Sequence, residues 1–284
     1  MKGGVLMLRE EWKMAGAKGA SLFLREWKPE STDIKAVVCL VHGMGEHGDR
    51  YKHVAARFAE AGIALIALDQ QGHGRSSGKR GHLPSLGAAA SDAALMIEAA
   101  GQRHPGIPVF LYGHSMGGNV ALNSALRLLP PIRGLILTSP WLRLAFKPNP
   151  AVEWVGRRLA AVLPTMHQST GLNPADLFRP GYDDAAPIVE DPLCHTKITI
   201  QTYVEVTAGG EWALAHADQL HVPLLLMHGT SDRVTSFEAS GILAGSLGKR
   251  CHFEQWEGGY HELHNDLEGE GAIRTIINWL MDQL

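Results

Sequence analysis

Val109-Phe110-Leu111-Tyr112-Gly113-His114-Ser115-Met116-Gly117 changes character half-way along. Its first four residues form a short apolar, aromatic-rich run, the pattern of a buried strand. From 117 to 129 the chain reads as a helix, stopped by Pro130-Pro131. Between the two lies Gly113-His114-Ser115-Met116-Gly117, a G-x-S-x-G string at a strand-to-helix turn. A serine on such a turn has a strained backbone, and glycines on either side remove side chains that would collide there. The helix that follows aims free N–H groups and a positive dipole end at any negative charge developing beside Ser115. The pattern predicts a serine nucleophile. The competing reading is that Ser115 caps the helix, a common role for serine.

Outward from this junction, apolar runs alternate with helical patterns. Residues 21–27 and Ala36–Val41 read as strands, the second ending abruptly at His42-Gly43. Residues 53–61, closed by Gly62, read as a helix with a glycine just past its end. A strand at 63–68 ends at Asp69, a helix at 88–103 stops before Pro105, and Gly134–Thr138 is the next strand. Strands resume at 224–227 and Cys251–Trp256, and the chain closes on a helix with Ile273, Ile276, Ile277 and Leu280 inward. This βαβα order implies an α/β fold whose mainly parallel sheet carries helices on both faces. Its site belongs on the loops at the strand C-terminal ends.

Residues 141–203 break the rhythm, with eight prolines inside or at the border: Pro140, Pro148, Pro150, Pro164, Pro174, Pro180, Pro187 and Pro192. The expected organisation is a core at 1–140, an inserted helical cap at 141–203 and the rest of the core at 204–284. Within the insertion Val152, Val155, Leu159 and Val162 fall at helical spacing, with Glu153, Arg157 and Arg158 between them. That stripe packs onto the core, forms the underside of a lid over an apolar ligand, or does both.

A serine hydroxyl needs a base within hydrogen-bond reach and a third group to orient that base. Where the nucleophile sits on a strand-to-helix turn of this kind, the chain order is serine, acid, histidine. The late strand at 224–227 leads into His228-Gly229-Thr230-Ser231-Asp232, and the last strand leads into Glu257-Gly258-Gly259-Tyr260-His261. Asp232 is thus the orienting carboxylate and His261 the general base. Asp69 is a rival acid, but it follows an early strand; His228 and His264 are rival bases. His261-Glu262-Leu263-His264 has only two residues between its histidines, so it is not a zinc-binding H-E-x-x-H. The tetrahedral intermediate needs two N–H donors, one from Met116 just after the nucleophile. The second is expected from Met44 in His42-Gly43-Met44-Gly45-Glu46-His47, whose glycines allow close approach to a ligand. This chemistry calls for no metal and no organic cofactor.

Composition narrows the partners. The chain has 284 residues, 45% hydrophobic and 19% charged, enough apolar material for one large domain or a domain with an insertion. A formal charge of -3 without a run of Lys or Arg disfavours nucleic acid and other polyanions. Cys39, Cys194 and Cys251 are odd in number and far apart, which suits a reducing compartment rather than a disulfide framework. The apolar run 5–8 is too short for a signal-peptide core or a membrane span, so a soluble, cytoplasmic protein is expected.

Beyond these motifs lie Arg50-Tyr51, Asp69 with Gly72-His73-Gly74-Arg75-Ser76, Asp191-Pro192-Leu193, the run 229–233, and Tyr260-His261 with His264. As a set they make the chain, over nearly its whole length, resemble a bacterial monoacylglycerol lipase of the lysophospholipase-like serine hydrolases. The resemblance implies an α/β-hydrolase fold with a mostly parallel eight-stranded sheet and an inserted helical cap. It implies an apolar tunnel for one acyl chain and a polar end that accepts glycerol. By motif match Glu46, Arg50 and His264 line the polar end and His114 lies beside the nucleophile. Arg50 and Glu46 can equally form an ion pair that braces their loop. Some members carry a cap tyrosine near the polar pocket, where this chain has Pro187-Ile188-Val189-Glu190. The expected substrate is a lipid ester, with lysophospholipase, general carboxylesterase, peptidase or acyltransferase activity as alternatives on the same triad. A non-catalytic binding module of the same fold is the remaining alternative. Insoluble substrates and the apolar stripe also suggest transient contact of the cap with a membrane surface.

Overall fold

A computed structural model of the chain describes residues 7–30, 33–146, 150–182 and 190–284. Eight strands form one sheet: β1 (Met7–Ala15), β2 (Ser21–Pro29), β3 (Ala36–Val41), β4 (Ile63–Asp69), β5 (Val109–His114), β6 (Gly134–Thr138), β9 (Leu224–Gly229) and β10 (Cys251–Trp256). A separate two-stranded ribbon, β7 (His167–Ser169) with β8 (Lys197–Thr199), lies in the expected insertion. The sheet order is β1-β2-β4-β3-β5-β6-β9-β10. The first two pairings, β1 with β2 and β2 with β4, are antiparallel, and the rest are parallel. This is the α/β-hydrolase arrangement.

The central strands read as unbroken apolar runs because both of their faces are covered. In β3, Val37, Cys39 and Val41 enter one apolar core while Ala36, Val38 and Leu40 enter the other. The alternation repeats in β5, with Val109 and Leu111 on one side and Phe110 and Tyr112 on the other. Helices α2 (Leu86–Arg103), α3 (Met116–Leu128), α6 (Ile200–Ala215) and α7 (Phe237–Leu247) supply side chains to the first core. Helices α1 (Lys52–Glu60) and α8 (Gly269–Asp282) close the second. Ile273, Ile276 and Leu280 are buried there, and Ile277 packs against them partly buried.

Strand β1 was not among the expected strands. It is an edge strand, exposed along Leu8 to Glu11, and its charges hide the alternation that puts Trp12 and Met14 on the core. Charged edges of this kind discourage pairing with another chain. Asp69, the rival acid, is buried under β2: Arg25 grips it with bonds of 2.5 and 2.8 Å, and Gly48 and Arg75 N–H groups add two more at 2.9 Å. Burial opposes its ionisation, but Arg25 outweighs burial and brings its pKa down to about 2.

Between β6 and β9 the chain forms α4 (Pro150–Val162), α5 (Pro174–Leu177) and the ribbon before α6. Helix α6 runs unbroken through residue 203, so the expected end of the insertion falls inside a helix. The helix starts where Thr199 caps it by accepting from Thr202 N–H. It then packs tightly on the core: a Cβ at Gly210 would stand 2.0 Å from Leu142 O. In the stripe on α4, the side chains of Val152 and Val155 lie outside the described residues, as do residues 187–189. No helix among the described residues is long and apolar enough to cross a membrane.

Candidate active site

Strand β5 ends at His114, and Ser115 takes φ 53° and ψ -120° before α3 begins at Met116. Positive φ is unfavourable for a residue with a Cβ and persists only where its surroundings hold it. Here Ser115 N–H donates to Thr138 O at 3.0 Å, and Ser115 O accepts from Gly118, Asn119 and Trp141 N–H groups. The flanking glycines have steric reasons. A Cβ at Gly113 would meet Gly117 O at 2.4 Å, and one at Gly117 would meet Val41 O at 2.1 Å. Although Ser115 stands at the N-cap position, its side chain makes no capping bond. Its Oγ lies instead 2.9 Å from His261 Nε2.

His261 Nδ1 lies 2.8 Å from Asp232 Oδ2. Asp232 Oδ1 accepts from the N–H groups of Val234 (2.7 Å) and Thr235 (3.0 Å), and Oδ2 accepts from Thr235 Oγ1 at 2.8 Å. Burial opposes ionisation of Asp232, yet the His261 charge and hydrogen bonds from His228 and His261 hold its pKa well below the usual carboxylate value. For His261, burial disfavours the imidazolium, but Asp232, with Glu262 and Glu46 behind it, leaves the pKa raised above the free imidazole value. Of the rival bases, His228 is fully buried and turns its ring nitrogens to Ser240 Oγ (2.7 Å) and Asp232 Oδ2 (3.1 Å).

The loop after β3 faces Ser115 from the other side. His42 anchors it by contacting Gly43 O through Nδ1 (2.8 Å) and accepting Gln70 N–H through Nε2 (3.0 Å). Glu46 folds back to accept Gly43 N–H at 2.5 Å and Tyr51 Oη at 3.0 Å. Gly43 thereby comes so close that an added Cβ would sit 3.3 Å from Ser115 Cβ. Among the described residues, neither Met44 N–H nor Met116 N–H donates to a main-chain acceptor outside regular helices and strands. Met116 is in the first turn of α3, where no in-helix acceptor exists.

A cavity of about 1210 Å³ opens on Ser115 and His261. That exceeds the roughly 300–1,000 Å³ of ordinary small-molecule sites. Its walls combine Met44, Trp141 and Val234 with Leu159, Met166 and Ile198 from the segment between β6 and α6. Its polar end holds Glu46, Arg50, Glu262 and His114. Arg50 both lines the cavity and bridges two buried carboxylates, 2.7 Å from Glu46 and 2.7 Å from Glu262. Burial pushes Glu46 up; Glu262 is also opposed by burial, but Arg50 holds it well down. Burial, reinforced by His261, pushes His114 down to about 3, which keeps its imidazole neutral beside His261. His264 is not brought to the cavity wall. It stacks on Tyr51 (4.6 Å between ring centres) behind His114, because the short 3-10 turn Leu263–Asn265 directs it inward. Glu262 is the site member that sequence reasoning passed over, its only signal being an acid next to His261.

One consequence is a pH profile. Only neutral His261 can accept a proton from Ser115, so kcat/KM for a non-ionising ester should fall about tenfold per pH unit below the His261 pKa. That pKa is raised, so the fall should begin above the free imidazole value of about 6.5. A raised folded-state pKa also means protonation at His261 favours the fold, with that contribution lost as pH rises through the folded pKa. The activity lost on acidification should therefore return on neutralisation. A profile flat down to pH 5 would remove His261 as the base.

A family profile described as serine aminopeptidase, S33 (Hydrolase_4) matches residues 32–268. The chain is 31% identical over 278 residues to a monoacylglycerol lipase of Mycolicibacterium smegmatis, covering 97% of this chain and 98% of that one. It is 35% identical to an uncharacterized abhydrolase domain-containing protein of Dictyostelium discoideum, covering 93% of this chain but only 28% of that protein's length. Among solved structures, Paleococcus ferrophilus monoacylglycerol lipase superposes with a TM-score of 0.82 at 30% identity, covering 98% of this chain and 100% of that one.

Proposed function

Because this chain belongs to the serine aminopeptidase S33 family and is an ester hydrolase of the monoacylglycerol-lipase-like α/β-hydrolase group, we propose that it cleaves monoacylglycerols to glycerol and free fatty acid. The observation that carries this reading is the large, mainly apolar cavity on Ser115, in which Glu46, Arg50 and Glu262 form one ion-paired polar cluster near His114. One fatty acyl chain fits the walls, and a small polyol fits the end. In this reading Ser115 Oγ attacks the ester carbonyl while His261 Nε2 takes its proton and Asp232 holds the imidazole. The oxyanion rests on Met44 and Met116 N–H groups. His261 returns the proton to the departing alcohol, and water then clears the acyl-serine.

The charge of the polar end separates the alternatives. Arg50 is shared between two carboxylates, so the cluster carries no surplus positive charge for the phosphate of a lysophospholipid. Both carboxylates are engaged by neighbouring donors, Glu46 by Gly43 N–H, Tyr51 Oη and Arg50 and Glu262 by Arg50 and Asn265, so each would have to give up a bond to receive the ammonium group of an aminoacyl substrate. Initial rates against monoacylglycerols, lysophospholipids, nitrophenyl esters and aminoacyl amides test the assignment. A monoacylglycerol should be turned over at least about tenfold faster than a lysophospholipid of the same chain. Preference for lysophospholipid or amide would overturn it.

Contact of the insertion with a lipid surface is a second proposal, supported by Trp154, Val162, Leu163 and Met166, which are all exposed on it. On this reading the protein is cytoplasmic and meets membranes only at their periphery. The double substitution Trp154→Asp, Val162→Asp should abolish co-sedimentation with phospholipid vesicles. Unchanged vesicle binding would count against the contact.

A further inference from the structure

We propose that His47, Asp191 and Cys194 form a binding site for one divalent cation of the zinc class, joining the insertion to the glycine-rich loop after β3. The three donor atoms, one nitrogen, one oxygen and one sulfur, lie within 4.8 Å of one another. Ligand atoms on a tetrahedral zinc ion stand roughly 3.3–3.7 Å apart, given bond lengths near 2.0–2.3 Å. Small side-chain rotations close that gap.

The main chain already holds the ligands in register. His195 N–H donates to Gly45 O at 2.8 Å, which lays the 191–195 turn along the loop that carries His47. Leu193 N–H donates to Asp191 Oδ1 at 2.8 Å, and Cys194 N–H to Asp191 O at 3.0 Å. Asp191 Oδ2 is left facing His47 Nε2 at 2.8 Å. The donor set favours zinc or cadmium over calcium or magnesium, which prefer all-oxygen shells. Three protein ligands leave a fourth position for water, and Cys194 lies on the cavity wall, from which that position can be reached. The nearby Arg50 is neutralised by Glu46 and Glu262 and so opposes the ion only weakly.

The ion enters between His47 Nε2 and Asp191 Oδ2. The ring proton of His47 moves to Nδ1, giving up the long 3.3 Å bond from Asp49 N–H. The Cys194 thiol loses its proton to solvent, so one proton is released for each ion bound. None of the three ligands takes part in the ester chemistry proposed above, and the inference stands apart from it.

Cadmium titrated into the EDTA-treated full chain should raise a thiolate-to-metal absorption band that saturates at one equivalent and is displaced by zinc. Cys194→Ser should abolish the band, and Asp191→Asn should weaken cadmium binding at least about tenfold. Zinc should raise the Tm of the wild type but not of Cys194→Ser, with each variant compared with its own metal-free Tm. A band that survives Cys194→Ser, an affinity untouched by Asp191→Asn, or no saturating band at all would overturn the site.

Discussion

Replacing Ser115 with alanine is expected to lower ester turnover by about 10⁴- to 10⁶-fold while leaving the fold intact. At about 1.4 kcal/mol per decade this corresponds to roughly 5–8 kcal/mol of transition-state stabilisation. The structure makes the substitution a clean one. Alanine keeps the Cβ that the backbone at φ 53° already accommodates, so no new strain arises at the turn. The hydroxyl makes no capping bond, so α3 loses nothing at its start. What disappears is the oxygen 2.9 Å from His261 Nε2. Steady-state rates with a medium-chain monoacylglycerol and labelling by a fluorophosphonate probe measure the effect. Probe labelling of the wild type that vanishes in Ser115→Ala marks an enzyme rather than a binding module. Turnover within tenfold of wild type would remove Ser115 as the nucleophile.

How much of this was legible in the sequence depends on where each feature draws its partners. Strands β3 and β5 were visible because burial on both faces requires uninterrupted apolar runs. The serine, acid and histidine were visible because each follows a strand end in a fixed chain order. Strand β1 was hidden because an edge strand needs charges such as Arg9, Glu10 and Glu11, which erase the apolar pattern. Helix α6 was hidden for a different reason. Val206, Gly209, Gly210 and Ala213 are buried at helical spacing, but two of the four are glycines, which carry no apolar side chain and read as breakers of a helical pattern. Glu262 meets Arg50 across a sequence separation of 212, and no local pattern reports such a pairing. His264 follows His261 at a spacing that suggests a shared site, yet the 3-10 turn sends it behind His114. Chain order and periodicity thus located what local geometry controls; they missed what only distant contacts decide.

Local contacts from its own loop together with the distant His261 set what Asp232→Asn should do, a loss of about 10⁴-fold in kcat with the fold retained. The amide has one oxygen and one nitrogen to place, and the surroundings choose between them. At the Oδ1 position two main-chain donors, Val234 and Thr235 N–H, require an acceptor, so the amide oxygen goes there. The NH₂ group must then occupy the Oδ2 position, 2.8 Å from His261 Nδ1. With a donor facing it, Nδ1 becomes an acceptor and the ring proton moves to Nε2. A protonated Nε2 cannot take the proton of Ser115 Oγ. His228 Nε2, 3.1 Å from the same position, must then turn from donor to acceptor, its ring proton moving to Nδ1 toward Ser240 Oγ. The variant should therefore fold with a Tm close to wild type, keep a similar KM and lose kcat. The Oδ1 contacts tie this carboxylate to its own loop, so Asp232→Ala should lose stability as well as rate, because Val234 and Thr235 N–H groups are left without their acceptor. Rates within tenfold of wild type for Asp232→Asn, measured near neutral pH with the fold checked by circular dichroism, would show that another group orients His261.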